Sequence, residues 1–421
     1  MNLKRSSCAG ILGLAAATAL LAQPGHRGYN QIYNFDAAVG PTALTGTGNS
    51  LYGATQTGGT QGRGSVYALT LPATAGDPWT YTTLYDFGTN PSDGYAPMGV
   101  AIGGFSGGLP VLYGTTEGGG KFGKGTVFAL VPPQTPGGTW SEFRLHDFHG
   151  TDGDNPLAPL VVDLKSGTLV LYGTTVAGGA SAVNGNDGSG TIFSVTPPTT
   201  PGGTWTESVL YSFGPGTAGQ LPNHVALGHG PGGAPVLYGF TVIGGANAGG
   251  VVYSLAEAGG TWTYNVIYNL PPSTVISAPT GLTIGNGGVL YGTAAAAFDV
   301  ADSAGLVYSL TPPTSEGGSW TANTLYAFGA AVNDGSDPQG GVVVGSNGSL
   351  YGVTSGGGLG DGTVYSLTPP ASPGGAWTED VIYSFPFNGE TSAPTSLVVG
   401  PHGVLYGTTQ YGVSTVFAIE P

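Results

Sequence analysis

The sequence predicts an all-β fold, a single seven-bladed β-propeller of four-stranded blades. Three observations support this prediction: a tripeptide that recurs along the chain, strand-like runs in the same order between its copies, and a spare strand at the beginning of the chain. A unit of about 59 residues that carries four strands is typical of a propeller blade. The tripeptide is Leu-Tyr-Gly, and its tyrosines are Tyr52, Tyr113, Tyr172, Tyr238, Tyr291, Tyr351 and Tyr406.

Each unit contains four strand-like runs, which we call a, b, c and d. Runs of β-branched and aromatic residues, separated by Gly, Pro and Asn, indicate strands and turns. Nothing after residue 25 has a helical period. In the unit from 156 to 213 the four runs are Leu160–Val162, Leu169–Thr175, Thr191–Thr196 and Trp205–Phe213.

The two ends of the chain favour closure of a ring. The segment Tyr29–Phe35 resembles strand d, whereas the last unit stops after its strand c, Val416–Ile419. Pairing them would remove two free sheet edges, which otherwise invite aggregation. A right-handed β-solenoid is the main alternative, but its coils are usually shorter. The predicted domain spans 29–421, with blades at about 41–87, 97–148, 156–213, 222–270, 279–328, 338–385, and 394–421 completed by 29–35.

Residues 1–25 are typical of a secretory signal peptide. Lys4 and Arg5 precede an apolar run, Ile11–Leu21, of eleven residues. A bilayer-spanning helix needs about 20. We therefore expect a secreted protein, extracellular or periplasmic, without membrane insertion. Cys8 is the only cysteine, so the chain has no intramolecular disulfide.

The charge balance narrows the choice of partners. The chain has 8 Lys and Arg residues against 23 Asp and Glu residues, a formal net charge of −15. Such a surface repels phosphate backbones, so nucleic acid is not expected as a partner. An extracellular glycan or a surface protein is the expected partner, and the protein is expected to be a monomer.

The repeat resembles a known family. Its pattern combines Leu-Tyr-Gly-Thr-Thr, Gly-Thr-Val-Phe, Pro-Gly-Gly-x-Trp-Thr-Glu and Leu-Tyr-x-Phe, and is clearest at 112–128 and 350–385. This pattern is similar to the GloVer tandem repeat of secreted bacterial "choice-of-anchor" proteins. The resemblance covers residues 30–421, with a departure at 294–302. It implies a repeat of β-propeller type and secretion, and it carries no assigned chemistry.

All six tryptophans occupy one position of the repeat, the start of strand d. A regular row of tryptophans could form a platform for sugars. An aromatic residue that begins the outermost strand is better explained by packing between neighbouring blades. The six residues are Trp79, Trp140, Trp205, Trp262, Trp320 and Trp377.

The candidate binding face is the one that carries the b–c and d–a connections. These loops vary between units, and variable loops on a rigid scaffold are the usual place for binding. They hold 12 of the 23 acidic residues. The candidate ligand-binding residues are Asp93, Asp152, Asp154, Asp187, Asp334, Asp337 and Asp361.

Two of these loops suggest a cation. The sequences Asp152-Gly-Asp154-Asn-Pro and Asp334-Gly-Ser-Asp337-Pro offer oxygen ligands to calcium. The remaining spacing of an EF-hand is absent, and Asp and Gly before Pro also describe an ordinary turn. Calcium is the one cofactor that the sequence suggests. A zinc site is not expected at His146 and His149, which a strand would place on opposite faces.

These observations favour a non-enzymatic protein. The sequence has no arginine cluster and no phosphate-binding loop. We predict a secreted propeller that acts as a binding or scaffold module for an extracellular polysaccharide, surface polymer or protein through its acidic loops. One alternative is a polysaccharide-cleaving hydrolase or lyase that uses carboxylates of the rim, about 5–10 Å apart. The other is a passive structural or adhesive repeat protein.

Overall fold

The computed structural model describes residues 28–420, except 36, 75, 136, 165–166, 182–187, 201, 217, 273–278, 296–303, 316–317, 373, 388–392, 401–402 and 411. These residues form 29 β-strands and two short 3-10 segments, Pro231–Gly233 and Asn286–Gly288. Over the same ranges, no helix has the length and apolarity needed to cross a bilayer. The predicted signal peptide, 1–25, lies outside the described residues. The all-β prediction is confirmed.

The strands form seven separate antiparallel sheets, which are the blades of a propeller. The first strand, β1 (Asn30–Asn34), belongs to the last blade. Blade 1 contains β2 (Thr45–Thr47), β3 (Ser50–Thr55), β4 (Ser65–Thr70) and β5 (Thr80–Asp86); blade 2 contains β6 (Gly94–Ser106), β7 (Leu109–Gly119), β8 (Thr126–Val131) and β9 (Ser141–Asp147); blade 3 contains β10 (Val161–Asp163), β11 (Val170–Thr175), β12 (Thr191–Thr196) and β13 (Thr206–Ser212).

Blade 4 differs from the prediction in one respect, because its strand a is divided into two short strands that both pair with strand b. Blade 4 contains β14 (Gln220–Pro222), β15 (Ala226–His229), β16 (Pro235–Ile243), β17 (Val251–Ala258) and β18 (Thr261–Asn269); blade 5 contains β19 (Pro279–Ile284), β20 (Leu290–Ala294), β21 (Leu306–Thr311) and β22 (Thr321–Ala327); blade 6 contains β23 (Gly335–Val344), β24 (Leu350–Gly357), β25 (Gly360–Thr368) and β26 (Thr378–Pro386); blade 7 contains β27 (Pro394–Val399), β28 (Leu405–Thr409) and β29 (Thr415–Ile419).

The ring is closed by the first strand. β1 pairs antiparallel with β29, so that Asn30 lies opposite Ala418 and Asn34 opposite Thr415. Blade 7 thereby has the strand order β1-β29-β28-β27 and four strands, as blades 1, 2, 3, 5 and 6 have. The predicted closure is confirmed.

The tyrosines of the Leu-Tyr-Gly repeat pack against the tryptophans of the following blade. Tyr113 of blade 2 lies 6.0 Å from Trp205 of blade 3, between ring centroids. An edge-to-face contact joins Tyr406 of blade 7 to Trp79 of blade 1, at 5.8 Å. The tryptophans therefore seal the interfaces between blades, as the sequence indicated.

The glycine of each Leu-Tyr-Gly copy lies under an aromatic ring of strand c. A Cβ added to Gly352 would lie 2.3 Å from the Tyr365 hydroxyl oxygen, and one added to Gly407 would lie 2.2 Å from Cζ of Phe417. Both rings are fully buried. Only a residue without a side chain allows the ring to cross strand b at this distance.

The strands named a are innermost. Residues of β2, β6, β10, β15 and β19, from five blades, line one axial cavity of about 750 Å³. Most of these side chains are apolar, including Ile102, Val161 and Leu227. The connections from b to c, and from d to the next strand a, lie together on one side of the ring. We call this side the loop face.

Candidate functional site

Three predicted ligand residues lie at one equivalent position, in the connection from strand d to the next blade. Asp93, Asp152 and Asp334 are only 4–6 % exposed. The carboxylate of Asp93 accepts a hydrogen bond of 3.0 Å from the Tyr85 hydroxyl and another of 3.0 Å from the Gly88 N–H. Its carboxylate therefore holds the turn in which it lies.

The other two aspartates do the same. Asp334 accepts from the Tyr326 hydroxyl at 3.0 Å and from the Gly329 N–H at 2.8 Å. Asp152 accepts from the His149 N–H at 2.8 Å, and a nitrogen of His146 takes the place of the tyrosine hydroxyl, also at 2.8 Å. A ligand would have to break these bonds to reach the three carboxylates. Their geometry is that of turn elements.

The remaining predicted ligand residues do not gather at one place. Asp154 is buried and forms an ion pair with Lys124. Asp337 has a left-handed backbone (φ 56°) before Pro338. Asp361 is half-buried on β25, opposite Gly357. Asp187 lies outside the described residues.

The backbone of Asp337 repeats in other blades. Ala96, Asn155 and Leu221 also precede a proline, and their φ angles are 52°, 54° and 58°. The N–H of Asp337 donates to the Ala304 carbonyl of the preceding blade at 2.9 Å. Asp tolerates this conformation better than most residues, which gives Asp337 a structural explanation.

The geometry does not bring the proposed calcium ligands into one group. In the part of the chain that the structure describes, one set of three metal-ligating side chains has its ligand atoms within 4.8 Å of one another, and it consists of His146, Asp152 and Glu207. Asp154, Asp334 and Asp337 are outside it. Calcium binding by Asp152, Asp154, Asp334 and Asp337 stays a prediction.

Glutamates on strand d were not among the predicted site residues. Glu142, Glu207 and Glu379 each lie two residues after a tryptophan and face the turn aspartate of the preceding blade. Burial raises the pKa of each carboxyl to about 7, and the neighbouring aspartate contributes to this rise. The Trp-x-Glu spacing was visible in the sequence, but its partner lies in another blade.

The loop face has a basic sector at blades 1 and 2. All four Lys and Arg residues among the described ranges are found there: Arg63, Lys121, Lys124 and Arg144. Arg63, Lys121 and Arg144 are exposed. Because the chain carries a net charge of −15, this grouping of its few cations distinguishes one sector from the rest of the surface.

Two exposed aromatic rings accompany these cations. Phe122 is 48 % exposed, and the Lys121 ammonium lies 5.0 Å from its ring centroid. Tyr95 is 41 % exposed, and the Arg63 guanidinium lies 6.0 Å from its ring centroid. His149 meets the edge of Phe122, with centroids 5.9 Å apart. Cations and ring faces therefore alternate across the sector.

A second exposed apolar group lies on the loop face at blades 5 and 6. Val332, Leu359 and Phe387 are 91 %, 54 % and 79 % exposed. The Phe387 N–H contacts the Leu359 carbonyl at 3.4 Å. None of the described lysines or arginines lies beside them, so this group offers apolar contact without charge.

The family of the chain follows from a match over nearly its whole length. The Gloeobacter/Verrucomicrobia repeat matches residues 22–229 and again 228–421. The chain belongs to this repeat family, as the resemblance of its motifs indicated. No curated protein matches the chain.

Solved structures show the same architecture at low sequence identity. The polysaccharide lyase Uly1 is 11 % identical, with a TM-score of 0.51 over 97 % of this chain and 95 % of the lyase. The extracellular domain of a hybrid two-component system from B. thetaiotaomicron is 11 % identical, with a TM-score of 0.50 over 93 % of this chain and 40 % of that one. A glucose dehydrogenase is 12 % identical with a TM-score of 0.41, over 93 % and 99 %. The likenesses to the lyase and to the extracellular domain show the fold alone.

Proposed function

We propose that the protein is a secreted, non-enzymatic propeller that binds an extracellular acidic polysaccharide through the basic sector of its loop face. One observation carries the proposal: the described cations of a strongly acidic chain are gathered beside two exposed aromatic rings. The apolar, leader-like run within residues 1–25 supports the extracellular location. The binding contacts are thus assigned to Arg63, Lys121, Tyr95 and Phe122.

The chemistry of the sector suits a sugar polymer with carboxylate or sulfate groups. An exposed ring offers a flat apolar surface to the C–H face of a sugar, while the adjacent ammonium and guanidinium pair with its anionic groups. The net charge of the protein opposes the approach of an anion. Screening at physiological salt limits that repulsion to about 8 Å, so the local cations dominate at contact.

The turn aspartates support a binding role over cleavage. A hydrolase or lyase would need free carboxylates about 5–10 Å apart over a concave surface. Asp93, Asp152 and Asp334 instead belong to three different blades and accept hydrogen bonds from their own turns. The carboxylates most visible in the sequence are therefore engaged in maintaining the scaffold.

Affinity electrophoresis tests the proposal. The full-length protein is run through native gels that contain an uronate-rich polysaccharide, a sulfated polysaccharide or a neutral glucan. We expect retardation in the two acidic gels and none in the neutral one. The retardation should weaken as salt is raised, because charge pairing is screened.

The matched variants are Lys121→Ala with Phe122→Ala, against Phe387→Ala. Phe387 is an exposed aromatic residue on the same face without a described cation beside it. We expect the first pair to abolish retardation and Phe387→Ala to keep it. Equal retardation of all three proteins, or no retardation by either acidic polymer, would refute the proposal.

A further inference from the structure

His146 is an exception in an otherwise uniform position. Strand d carries a tyrosine at this place in the other six blades, and blade 2 alone carries a histidine. The six tyrosines are Tyr33, Tyr85, Tyr211, Tyr268, Tyr326 and Tyr383. The exception falls where another histidine, His149, follows three residues later.

Side chains from two blades meet at His146. Its Nε2 lies 2.8 Å from Oδ2 of Asp152, and Glu207 approaches from β13 of the next blade. The ligating atoms of these three residues all lie within 4.8 Å of one another. His149 is half-exposed, and its Nε2 lies 3.2 Å from the same Asp152 oxygen. One imidazole and two carboxylates therefore converge, and the second imidazole lies beside Asp152. The expectation that a strand would place the two histidines on opposite faces is wrong, because β9 ends at Asp147, before His149.

Hydrogen bonding alone does not explain the histidine. In blades 1 and 5 a tyrosine hydroxyl reaches the equivalent aspartate at 3.0 Å, with Tyr85 on Asp93 and Tyr326 on Asp334. Both of those aspartates also face a glutamate of the next blade, Glu142 or Glu379. The tyrosine thus performs the same structural task. What the imidazole adds is a nitrogen that can ligate a metal.

Glu207 presents an unsatisfied oxygen to this group. Its Oε1 is buried and has no hydrogen-bond partner among the described residues, a costly state for a carboxylate. Oε1 of Glu379 is likewise buried without a hydrogen-bond partner among the described residues. The interface that carries a tyrosine instead of the histidine therefore leaves its glutamate oxygen unsatisfied. A cation between Glu207, Asp152 and His146 would satisfy the oxygen in blade 3.

We propose that His146, Asp152 and Glu207, with His149 as the fourth ligand, form a zinc site that joins blade 2 to blade 3. Zinc is bound tetrahedrally by His nitrogen and carboxylate oxygen at about 2.0–2.2 Å, which sets neighbouring ligand atoms roughly 3.4 Å apart. The His146 and His149 nitrogens lie 2.8 and 3.2 Å from Oδ2 of Asp152, close to that value, whereas the ligand atoms of His146, Asp152 and Glu207 lie within 4.8 Å of one another. Glu207 and His149 therefore have to move inward to complete the tetrahedron. Nitrogen ligands favour zinc over calcium or magnesium, and the two carboxylates neutralise its charge.

The metal would cross-link blade 2 to blade 3. Its ligands come from β9, from the loop that follows it, and from β13, so the metal holds an interface that otherwise depends on packing. The chain has one cysteine and cannot form an internal disulfide. Zinc that binds only the folded ring raises the melting temperature by mass action.

Metal titration of the full-length protein tests the proposal. After treatment with EDTA, Zn²⁺ binding is followed by isothermal titration calorimetry and Co²⁺ binding by the visible absorption of the tetrahedral ion. We expect one Zn²⁺ per chain, a tetrahedral Co²⁺ spectrum, and a melting temperature that rises with Zn²⁺ and returns after chelation.

Two substitutions remove ligands with little risk to the fold. His146→Tyr restores the residue of the other six blades, and Glu207→Gln keeps the shape of the side chain. We expect each to weaken Zn²⁺ binding at least tenfold, since even outer-shell partners of a metal contribute about 10–100-fold. The metal-free melting curves of both variants report whether the ring is intact.

A third substitution makes the converse test. Tyr326→His creates the same trio with Asp334 and Glu379 at the interface of blades 5 and 6, and we expect it to raise the stoichiometry from one towards two. Zn²⁺ binding that His146→Tyr leaves unchanged would overturn the proposal, because the metal would then lie elsewhere. The absence of one-to-one binding in the unsubstituted protein would also overturn it.

Discussion

The ring of Tyr29 lies flat on that of Tyr383, with centroids 4.1 Å apart and planes only 7° from parallel. Tyr29 immediately precedes β1, and Tyr383 belongs to strand d of blade 6. Tyr211 and Tyr264 stack in the same way between blades 3 and 4, at 4.1 Å and 8°. The interface that closes the ring is therefore built like one inside it.

Replacement of Tyr29 by alanine should destabilise the ring as much as a change at an internal interface. We expect Tyr29→Ala to lower the free energy of unfolding by about 2 kcal/mol, below the range for truncating a fully buried aromatic residue, because Tyr29 is partly buried. Tyr264→Ala is the matched control and should lose a similar amount. Urea unfolding measures both, and a negligible loss for Tyr29→Ala would show that the closure contributes little.

Removal of β1 should cause self-association. A variant that begins at Ala37 leaves β29 as an unpaired edge, with a row of free N–H and C=O groups. Light scattering should show oligomers that grow with concentration. A peptide of residues 28–36 added in trans should reduce the association, whereas a peptide with the same residues in scrambled order should not. A monomeric truncated protein would contradict this prediction.

The glycine of Leu-Tyr-Gly should not tolerate alanine. In Gly352→Ala the new methyl group would lie 2.3 Å from the Tyr365 hydroxyl oxygen, and we expect a loss of about 3 kcal/mol from overpacking. Gly214→Ala is the control, since its added Cβ meets nothing within 4 Å. The second substitution Tyr365→Leu should restore part of the stability of Gly352→Ala. Equal melting temperatures for the two alanine variants would count against the explanation.

Stability should fall as the pH rises from about 5 to 8. Burial raises the pKa of Glu379 from 4.5 to about 7, with Asp334 adding to the rise. The folded state therefore favours the protonated carboxyl, and its stabilising contribution is present below the unfolded pKa and lost as the pH passes 7.

Glu379→Gln should remove part of that pH dependence. Because the Glu379 side chain is only partly buried, we expect a contribution of roughly 1 kcal/mol. Asp77→Asn, at an exposed turn, is the control and should leave the slope unchanged. Thermal melts at several pH values measure the effect, and an identical slope for Glu379→Gln would contradict the assignment.

The strands of this fold could be predicted closely because each blade repeats one local pattern. The predicted run Thr191–Thr196 is strand β12 without change, and Leu169–Thr175 differs from β11 by one residue. The division of strand a in blade 4 was not foreseen. There β14 ends at Pro222, and Asn223, His224 and Val225 follow without ladder pairing before β15 begins at Ala226. The sequence of this unit gives no sign of the interruption.

The site was harder to predict because its partners come from different blades. In the sequence, a carboxylate in a loop suggests a free ligand-binding group. In the structure, the carboxylates of Asp93 and Asp334 accept hydrogen bonds from tyrosine hydroxyls eight residues earlier in the chain. Glu207 meets Asp152 across 55 residues of chain. The two side chains meet only because the ring brings neighbouring blades together, and no local sequence pattern indicates this contact.

The closure of the ring also orders events in time. Within a blade the strands pair across a few dozen residues, but Asn30 meets Ala418 across almost the whole chain. The entropy cost of such a long loop is met only after the intervening blades are formed. The blades can thus form early, and the pairing of β1 with β29 is the last and slowest step of folding.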